Sequence, residues 1–414
     1  MSTLVEDVAC RAADLRPTLE VEVALHTGGF DRPYALGLVS ALAAKDVHLQ
    51  VIGSDELDGP VMQGAPRVRF LNLYGDQRSD ASLANKIVRL ALLYGRLVYY
   101  AATAKPMIFH ILWNNKVQYF DRVVLTLYYK LLGKKLVFTA HNVNAGKRDG
   151  NDSWLNRLTL KFQYRRLDHI FVHTQKMKSE LIEEFGVREK SVTVIPFGIN
   201  QTVPDTDLTA KQAKRRLGIG DGKRTVLFFG NIGPYKGVEF LVAAFQTIAA
   251  KNPDYHLVIA GRPRGGCENY MKDIQETISR DPHRARVIQN ICYIPNEETE
   301  LYFKAADVLV LPYREISQSG VLFLGYGFGL PVIAADVGSL GEAVVEGRTG
   351  FLCKPGDPAD LAATIERYFD SDLFKFLEDR RQEIRDYANE RHSWDVVGEK
   401  TRKVYEELLG GWTS

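Results

Sequence analysis

The chain contains little cysteine, carries almost no net charge and lacks a long uncharged apolar run. None of its four cysteines has C-x-x-C spacing, which argues against a disulfide scaffold or a zinc site and indicates a reducing compartment. These cysteines are Cys10, Cys267, Cys292 and Cys353. The two most apolar stretches, residues 87–100 and 123–132, contain basic residues and fall short of the ~18–20 residues that span a bilayer. No secretory signal is recognisable, so we expect a soluble or surface-bound protein.

The net charge of +2 hides a strong local imbalance. Residues 86–166 contain 15 lysines and arginines against three acidic residues, so this basic segment is +12 and the rest of the chain is −10. Such a field predicts an anionic partner, namely a membrane face, a phosphorylated molecule or nucleic acid. Nucleic acid is disfavoured because no recognised binding module accompanies the charge.

Large apolar residues, tyrosines and basic residues are mixed within the basic segment. This mixture is typical of the membrane headgroup region and predicts peripheral association with an anionic membrane through residues 86–166. The alternative is that these stretches are core-facing helices with solvated charges, and the sequence leaves both open.

Short apolar runs alternate with amphipathic stretches in two series. The first predicts seven strands between residues 21 and 194, and the second predicts five between residues 225 and 334. Strand–helix alternation predicts right-handed crossovers and parallel sheets. We therefore predict an α/β protein with two Rossmann-like, doubly wound domains, residues 1–200 and 201–392, that face a central cleft. An amphipathic helix within 393–414 is expected to pack back on the first domain.

The strongest candidate ligand site opens the second half. A predicted strand, Thr225–Phe229, leads into a loop with Gly230 and Asn231, and Lys236 follows just before the helical stretch Val238–Ala249. Backbone N–H groups at a helix start, together with a lysine, suit an anion. The pattern is neither a P-loop nor a dinucleotide G-x-G-x-x-G motif, and a plain turn with a surface lysine is the alternative.

Two further strand ends point to the same rim. Ser317 and Ser319 are good N-cap residues, and Gly320 lets a ligand approach the first turn of the following helix. Arg262 follows the predicted strand His256–Ala260. Convergence of a lysine, an arginine and a helix start suits a diphosphate, although an ordinary capped helix is the alternative.

Short motifs recur in a fixed order along the chain. The second half contains Gly230-Asn-Ile-Gly-Pro-Tyr-Lys-Gly-Val, Val258-Ile-Ala-Gly, Ala305-Ala-Asp-Val-Leu-Val-Leu-Pro-Tyr, Ser319-Gly-Val, Gly329-Leu-Pro-Val-Ile-Ala and Gly347-Arg-Thr-Gly-Phe-Leu. The first half contains His26-Thr-Gly-Gly-Phe, Thr139-Ala-His-Asn and Val194-Ile-Pro-Phe-Gly-Ile-Asn. In this order they resemble glycosyltransferase family 4 of the GT-B fold, and the resemblance covers nearly the whole chain.

The resemblance implies a retaining glycosyltransferase that uses no metal and no cofactor beyond its donor, a nucleotide diphosphate sugar. It implies a carbohydrate or lipid-linked acceptor, and with the basic segment it points to polysaccharide assembly in the cytoplasm at the inner membrane face. The leaving nucleotide diphosphate gains negative charge, which N–H groups and Lys236 would stabilise. The sugar, the base, the acceptor and the linkage stay open.

The resemblance also assigns roles to individual residues. Lys236 matches the family lysine that contacts the pyrophosphate, and His141 matches a histidine near the donor sugar. Asn231 stands where the family often has arginine, and Arg262 is the candidate substitute. A structural loop histidine is the alternative for His141. The remaining expected donor-binding residues are Gly28, Gly29, Gly230, Ile294, Glu315, Ser317, Ser319, Gly320 and Val321.

One departure from the family concerns its paired glutamates. Their positions hold Ile316 and Leu324 here, and Glu315 lies one place out of register. A subgroup with Ser-Gly-Val at the helix start shares this departure. The alternatives are a non-catalytic GT-B protein that binds sugar nucleotides or acts as a scaffold, which Asn231 and Leu324 favour, and a nucleotide-sugar epimerase, for which no acid/base carboxylates are identifiable.

The remaining polar motifs are expected to be structural. His26, His110, His169 and His173 lie in or beside strands and are predicted to be satisfied structural residues. The triplets Asp205-Thr-Asp and Asp370-Ser-Asp lie in linker or helix-end sequence, so metal binding there is disfavoured.

Overall fold

Two parallel β-sheets form the frame of the molecule, one in each of two lobes. The computed structural model describes residues 21–28, 31–77, 82–148, 150–199 and 203–410. Cys10, Gly29 and the boundary expected at residue 200 lie outside these ranges. Apolar strands alternate with helices in both halves, as parallel sheets require, so the predicted GT-B type of architecture is confirmed.

The first-lobe sheet has seven strands in the order β3-β2-β1-β4-β5-β6-β7, and every neighbouring pair is parallel. This order reverses direction at β1, where the crevice of a doubly wound sheet opens. The strands are β1 Glu22–His26, β2 His48–Ser54, β3 Val68–Gly75, β4 Ile108–Ile111, β5 Lys135–Thr139, β6 His169–Val172 and β7 Val192–Val194.

The second-lobe sheet has six parallel strands in the order β10-β9-β8-β11-β12-β13. All five predicted strands are present, but the sixth strand, β13, was missed because it begins with Gly350, a residue typical of turns. The strands are β8 Arg224–Phe229, β9 Tyr255–Ala260, β10 Val287–Asn290, β11 Val308–Leu311, β12 Val332–Ala335 and β13 Gly350–Cys353. Val226, Leu227 and Phe228 are fully buried because helices cover both faces of the sheet.

Helices connect the strands and cover the sheets. In the first lobe they are α1 Arg32–Ala43, α2 Pro60–Gly64, α3 Leu83–Thr103, α4 Gln118–Phe120, α5 Thr126–Leu131, α6 Ala145–Arg148, α7 Trp154–Tyr164 and α8 Gln175–Glu183. The following helices are α9 Ala210–Arg216, α10 Val238–Lys251, α11 Glu268–Ser279, α12 Asn296–Ala305, α13 Gly320–Gly327, α14 Leu340–Ala343, α15 Pro358–Asp370, α16 Asp372–Lys375, α17 Leu377–His392 and α18 Trp394–Leu408. A π-helical turn, Asp121–Leu125, joins α4 to α5, and short 3₁₀ turns span Asp55–Leu57, Glu189–Ser191, Pro234–Lys236 and Arg284–Arg286.

The last helix, α18, contributes to the core of the first lobe. Trp394 is buried there, and its Nε1 donates a hydrogen bond of 2.8 Å to the carbonyl of Ile199. A Cβ on Gly37 of α1 would lie 2.1 Å from the indole, and one on Gly198 would lie 2.4 Å from it. The indole therefore fills space that two glycines leave open. Within the described part of the chain, no helix is both long enough and apolar enough to cross a membrane.

Candidate functional site

The loops after β8 and β9 are bound to each other at the carboxyl edge of the second-lobe sheet. Ile232 N donates to the carbonyl of Arg262 at 2.8 Å, and Arg264 N donates back to the carbonyl of Ile232 at 2.9 Å. Gly261 has a φ of +145°, and a Cβ on it would lie 1.9 Å from the carbonyl oxygen of Gly230. Only glycine permits this approach, which holds the two loops together.

Lys236 is buried at the end of the 3₁₀ turn that follows β8. Its Nζ lies 3.7 Å from the centre of the Tyr313 ring, and the Tyr313 hydroxyl lies 3.4 Å from Ser319 Oγ. The next residue, Gly237, has a φ of +63°, and a Cβ there would lie 2.1 Å from the carbonyl of Pro312. The turn after β8 is thus locked against the loop after β11, which brings the lysine close to the start of α13.

Helix α13 begins in the way the sequence predicts, with Ser319 at the N-cap, but the cap itself is open. The Ser319 side chain makes no capping hydrogen bond to the first turn. N–H groups at a helix start carry partial positive charge and bind anions when no side chain satisfies them. A Cβ on Gly230 would lie 3.3 Å from Val321 Cγ2, so the loop after β8 adjoins this first turn.

The other second-lobe candidates surround this centre at different depths. Arg262 is exposed, with its guanidinium carbon 5.2 Å from the centre of the Tyr293 ring, and the neighbouring Ile294 is buried. Asn231 is exposed, and Gly320 lies at the surface of the first helical turn. The guanidinium carbon of Arg264 lies 5.5 Å from the Tyr235 ring, so the loop after β9 provides two cations where the sequence indicated one.

His141 follows β5 in the first lobe and lies in an aromatic cluster. Its ring stacks on Trp113 at 4.2 Å between centroids and 6° between planes, and it meets Tyr34 edge-on at 4.5 Å. Burial lowers the pKa of His141 well below its usual value, and the neighbouring His173 lowers it further. Gly28 has a φ of +65°, and a Cβ on it would lie 2.8 Å from Trp113 Cβ. Glycine at this position lets the first loop approach the stacked pair.

Phe197 joins the aromatic cluster to the start of α13. Its ring centre lies 6.3 Å from that of His141 and 5.7 Å from that of Phe323, on which it is stacked. A Cβ on Gly320 would lie 3.6 Å from the same Phe197 ring. His141 and the open helix start therefore approach Phe197 from opposite lobes.

Each lobe contributes a buried polar atom near this junction that lacks a hydrogen-bond partner among the described residues. They are His141 Nε2 in the first lobe and Gln318 Oε1 in the loop before α13. An unsatisfied buried polar atom costs about 1–3 kcal/mol. A ligand that forms a hydrogen bond with each of these atoms would remove this cost.

The residues at the positions of the family's paired glutamates differ in burial from Glu315. Ile316 and Leu324 are buried in the second-lobe core, whereas Glu315 is exposed and Ser317 is half-buried. Burial raises the pKa of Glu180 in α8, and the nearby charges of Glu184 and Glu315 add to the rise. The negative charge of Glu315, in the second lobe, therefore contributes to the raised pKa of Glu180 in the first lobe.

Sequence reasoning missed several residues of the site because their signal is three-dimensional. Trp113 is a single aromatic residue outside the motifs, Tyr313 ends the motif at residues 305–313 without any sign of its contact with Lys236, and His173 was assigned a structural role only. Of the other histidines, His110 and His169 do have hydrogen-bond partners. His26 differs from the expectation, since its buried Nε2 has no partner among the described residues.

The two aspartate triplets do not form a carboxylate cluster. Asp205 pairs with Lys304 at 2.8 Å, and Asp372 pairs with Lys375 at 3.4 Å. Within the described ranges, no group of three or more His, Cys, Asp or Glu side chains is arranged to hold a metal ion.

Comparison with known protein families identifies the family of this chain. A profile described as Glycosyltransferase Family 4 matches residues 33–203, and one described as Glycosyl transferases group 1 matches residues 223–371. The chain belongs to glycosyltransferase family 4. The predicted activity class, a glycosyltransferase, is confirmed, and the non-catalytic alternative is not favoured.

Relatives and solved structures agree with this family. A protein of Corynebacterium diphtheriae named D-inositol 3-phosphate glycosyltransferase is 26% identical to this chain over 409 residues. The match covers 92% of this chain and 93% of that protein. The protein of the same name from Thermomonospora curvata is 30% identical over 251 residues, a match that covers 58% of this chain and 56% of that protein. Sucrose-phosphate synthase from Thermosynechococcus elongatus has a TM-score of 0.76 at 20% identity, covering 95% of this chain and 100% of that one. Anabaena HepE with UDP-glucose has a TM-score of 0.71 at 18% identity, with the same coverage.

Proposed function

We propose that this family 4 enzyme binds the diphosphate of a nucleotide sugar on the second lobe and transfers the sugar, with retention, to an acceptor on the first lobe. The observation that carries the proposal is the convergence of Lys236, the open N-terminus of α13 and the Gly230 loop. Each of them provides positive charge or N–H groups at one edge of one sheet.

The chemistry follows from where charge develops. As the glycosidic bond breaks, negative charge builds up on the nucleotide diphosphate, and preorganised donors stabilise it more than they stabilise the ground state. Lys236 is already buried and held by Tyr313, so it needs little reorganisation. A side-chain nucleophile is not required if a phosphate oxygen takes the acceptor proton on the same face as the leaving group.

The donor sugar is assigned to the junction between the lobes, with His141 as the residue that contacts it. Its Nε2 is shielded and unbonded within the described structure, and Trp113 holds its ring in one plane. Arg262 and Arg264 supply further positive charge. Arg262 takes the role of the arginine that the family often has at the position of Asn231. We take UDP-glucose as the first probe because HepE, which shares the fold, was solved with it.

The acceptor is proposed to be anionic and to approach the first lobe. The basic segment, residues 86–166, provides the attraction, and the related enzymes are named for a phosphorylated polyol. A lipid-linked saccharide precursor and a small phosphorylated sugar alcohol share this chemistry. We favour the lipid-linked acceptor because of the apolar surface that accompanies the charge.

That surface is formed by helices α3, α5 and α7. The Tyr128 hydroxyl of α5 donates to the carbonyl of Val98 in α3 at 3.0 Å. Arg122, in the π-helical turn that leads into α5, donates to Asn156 of α7 at 2.8 Å, so this turn lies beside α7. The strongly exposed apolar side chains are Ile87, Val88, Leu92, Tyr99, Leu131 and Trp154. The core-facing alternative therefore does not account for these residues. We propose peripheral docking on an anionic leaflet, where each basic residue contributes about 1 kcal/mol.

The experiment that tests the function is a nucleotide-release assay with purified protein. UDP-, GDP- and ADP-sugars are each supplied with water alone, with extracted membrane lipid, or with a phosphorylated inositol as acceptor. Acceptor-dependent release of nucleoside diphosphate supports transfer, and the responding acceptor identifies its class. Binding of nucleotide sugars without release under every condition would instead support a scaffold role.

A further inference from the structure

A second histidine stands directly behind His141. His141 follows β5 and His173 follows β6, and these strands are paired in parallel, so both rings emerge at the same edge of the sheet. His173 Nε2 lies 3.1 Å from His141 Nδ1, and His173 Nδ1 lies 3.3 Å from the carbonyl oxygen of Ile195. The two imidazoles and one carbonyl thus form a chain of hydrogen bonds.

The carbonyl at one end of this chain determines where the protons lie. A carbonyl oxygen only accepts, so His173 Nδ1 carries a hydrogen. Burial lowers the pKa of His173 to about 4 and holds the pKa of His141 well below its usual value, so both rings are neutral near pH 7. A neutral ring with its hydrogen on Nδ1 has a lone pair on Nε2, and His173 therefore accepts from His141 Nδ1.

The same logic assigns the outer nitrogen of His141. Because Nδ1 holds its one hydrogen, Nε2 carries a lone pair and can only accept a hydrogen bond. This is the atom that has no partner within the described residues. Trp113 on one face and Tyr34 at the edge keep the ring from turning to exchange its two nitrogens.

We propose that His173 is a positioning residue that holds His141 in the Nδ1–H form, so that Nε2 accepts a hydrogen bond from a hydroxyl group of the donor sugar. This inference rests on the proposed function, in which His141 contacts the sugar. It adds a direction to that contact: the sugar must donate. A sugar that presents an ether, carbonyl or carboxylate oxygen to Nε2 is rejected, because two acceptors then face each other.

The direct test is the tautomer of His141 in the free protein. Protein with ¹⁵N-labelled histidine is examined by long-range ¹H–¹⁵N correlation at pH 7, and His141→Gln identifies the His141 signals among the nine histidines. The expected result is the neutral Nδ1–H form. A neutral Nε2–H form in the wild-type protein would overturn the proposal, whatever the enzyme does with nucleotide sugars.

Variants of His173 test the link between the two rings. His173→Leu removes the acceptor and is expected to lose the exclusive Nδ1–H form, whereas the amide oxygen of His173→Gln is expected to preserve it. Retention of the Nδ1–H form in the leucine variant would also contradict the proposal. Should the leucine variant fail to fold, the wild-type spectrum still decides.

Donor analogues test the direction of the hydrogen bond. UDP-glucose is compared with derivatives that each lack one hydroxyl group. One of them is expected to lose about tenfold in kcat/KM with the wild type and with His173→Gln, the effect of a single hydrogen bond of ~1.4 kcal/mol. That discrimination should vanish in His173→Leu. Equal discrimination in all three proteins overturns the proposal, whereas no turnover or binding of any nucleotide sugar by the wild type overturns the proposed function instead.

Discussion

The ammonium of Lys236 lies over the face of Tyr313, 3.7 Å from the ring centre. A desolvated ammonium over an aromatic face gains up to about 2 kcal/mol, which offsets part of the cost of burying the charge. The tyrosine hydroxyl in turn approaches Ser319 at the start of α13. One ring thus ties the cation after β8 to the helix after β11, and two predictions follow from this contact.

Replacing Lys236 with alanine is expected to lower donor turnover more than tenfold, because the developing diphosphate charge loses a buried cation (~2–4 kcal/mol). Steady-state release of UDP from UDP-glucose measures the loss. Lys251→Ala is the matched control, since Lys251 lies in the following helix and pairs with Glu366 at the surface. Equal activity of the two variants would refute the pyrophosphate role of Lys236.

Tyr313→Phe and Tyr313→Leu separate the ring from its hydroxyl. The phenylalanine variant keeps the aromatic face and should bind UDP within about threefold of the wild type, whereas the leucine variant should bind about tenfold more weakly. Isothermal titration at a temperature where both variants are folded makes the comparison. Equally weak binding by both would show that the hydroxyl, not the ring face, matters.

Gly237→Ala is expected to destabilise the second lobe strongly. The residue has a φ of +63°, and its Cβ would lie 2.1 Å from the carbonyl of Pro312. Gly218→Ala is the control, since Gly218 also has positive φ, +75°, but has no atom within 4 Å of the added Cβ. In denaturant unfolding, Gly218→Ala should lower the free energy of unfolding by about 1 kcal/mol, and Gly237→Ala should lower it clearly more. Equal costs would mean that the turn relaxes without strain.

Stability should fall as the solution becomes acidic. Burial lowers the pKa of His26 and His110 to about 3 and that of His169 to about 4, below the ~6.5 of the unfolded chain. The unfolded chain therefore takes up protons below pH 6.5 that the folded chain refuses. Each such histidine costs up to ~2 kcal/mol at pH 5, and none above pH 7.

Thermal melts between pH 7.5 and 5 measure this effect, with His110→Gln as the comparison. The wild type should lose stability across this range, and the variant should show a slope smaller by about one proton. An unchanged slope would mean that His110 accepts its proton without unfolding.

Charged substitutions on the apolar face test membrane docking. Ile87 and Leu131 are 60% and 84% exposed, so the double replacement by glutamate should leave folding intact and abolish flotation with vesicles that contain phosphatidylglycerol. Phe376→Glu, at an exposed second-lobe position, should float like the wild type. No flotation of the wild type at low and moderate salt alike would remove the docking proposal.

The sequence predicts the frame of this protein well because parallel strands buried on both faces appear as uninterrupted apolar runs. Val308–Leu311, in which all four residues are apolar and buried, was placed at its exact ends. Strand β13 escaped although three of its four residues are apolar, because it begins with Gly350 and glycine is typical of a turn.

The site was predictable only where a motif marks it. Lys236 follows the strand end that carries Gly230, and Ser319 directly precedes Gly320 at a helix start; topology brings both to one rim. Trp113 and His173 carry no such mark, and the motif that ends at Tyr313 does not reveal its role. These roles arise from ring contacts between segments far apart in the chain. Residues that act through a neighbour are not identifiable until the neighbour is located.

The indole of Trp394 has a consequence for how the chain reaches its final form. The pocket it enters is lined by Gly37 and Gly198, near the beginning and end of the first lobe, so that lobe is completed by a helix that follows the whole second-lobe sheet in the sequence. Without this helix the first lobe would contain a cavity the size of the indole, and a product truncated before Trp394 would expose the apolar core residues that the helix covers.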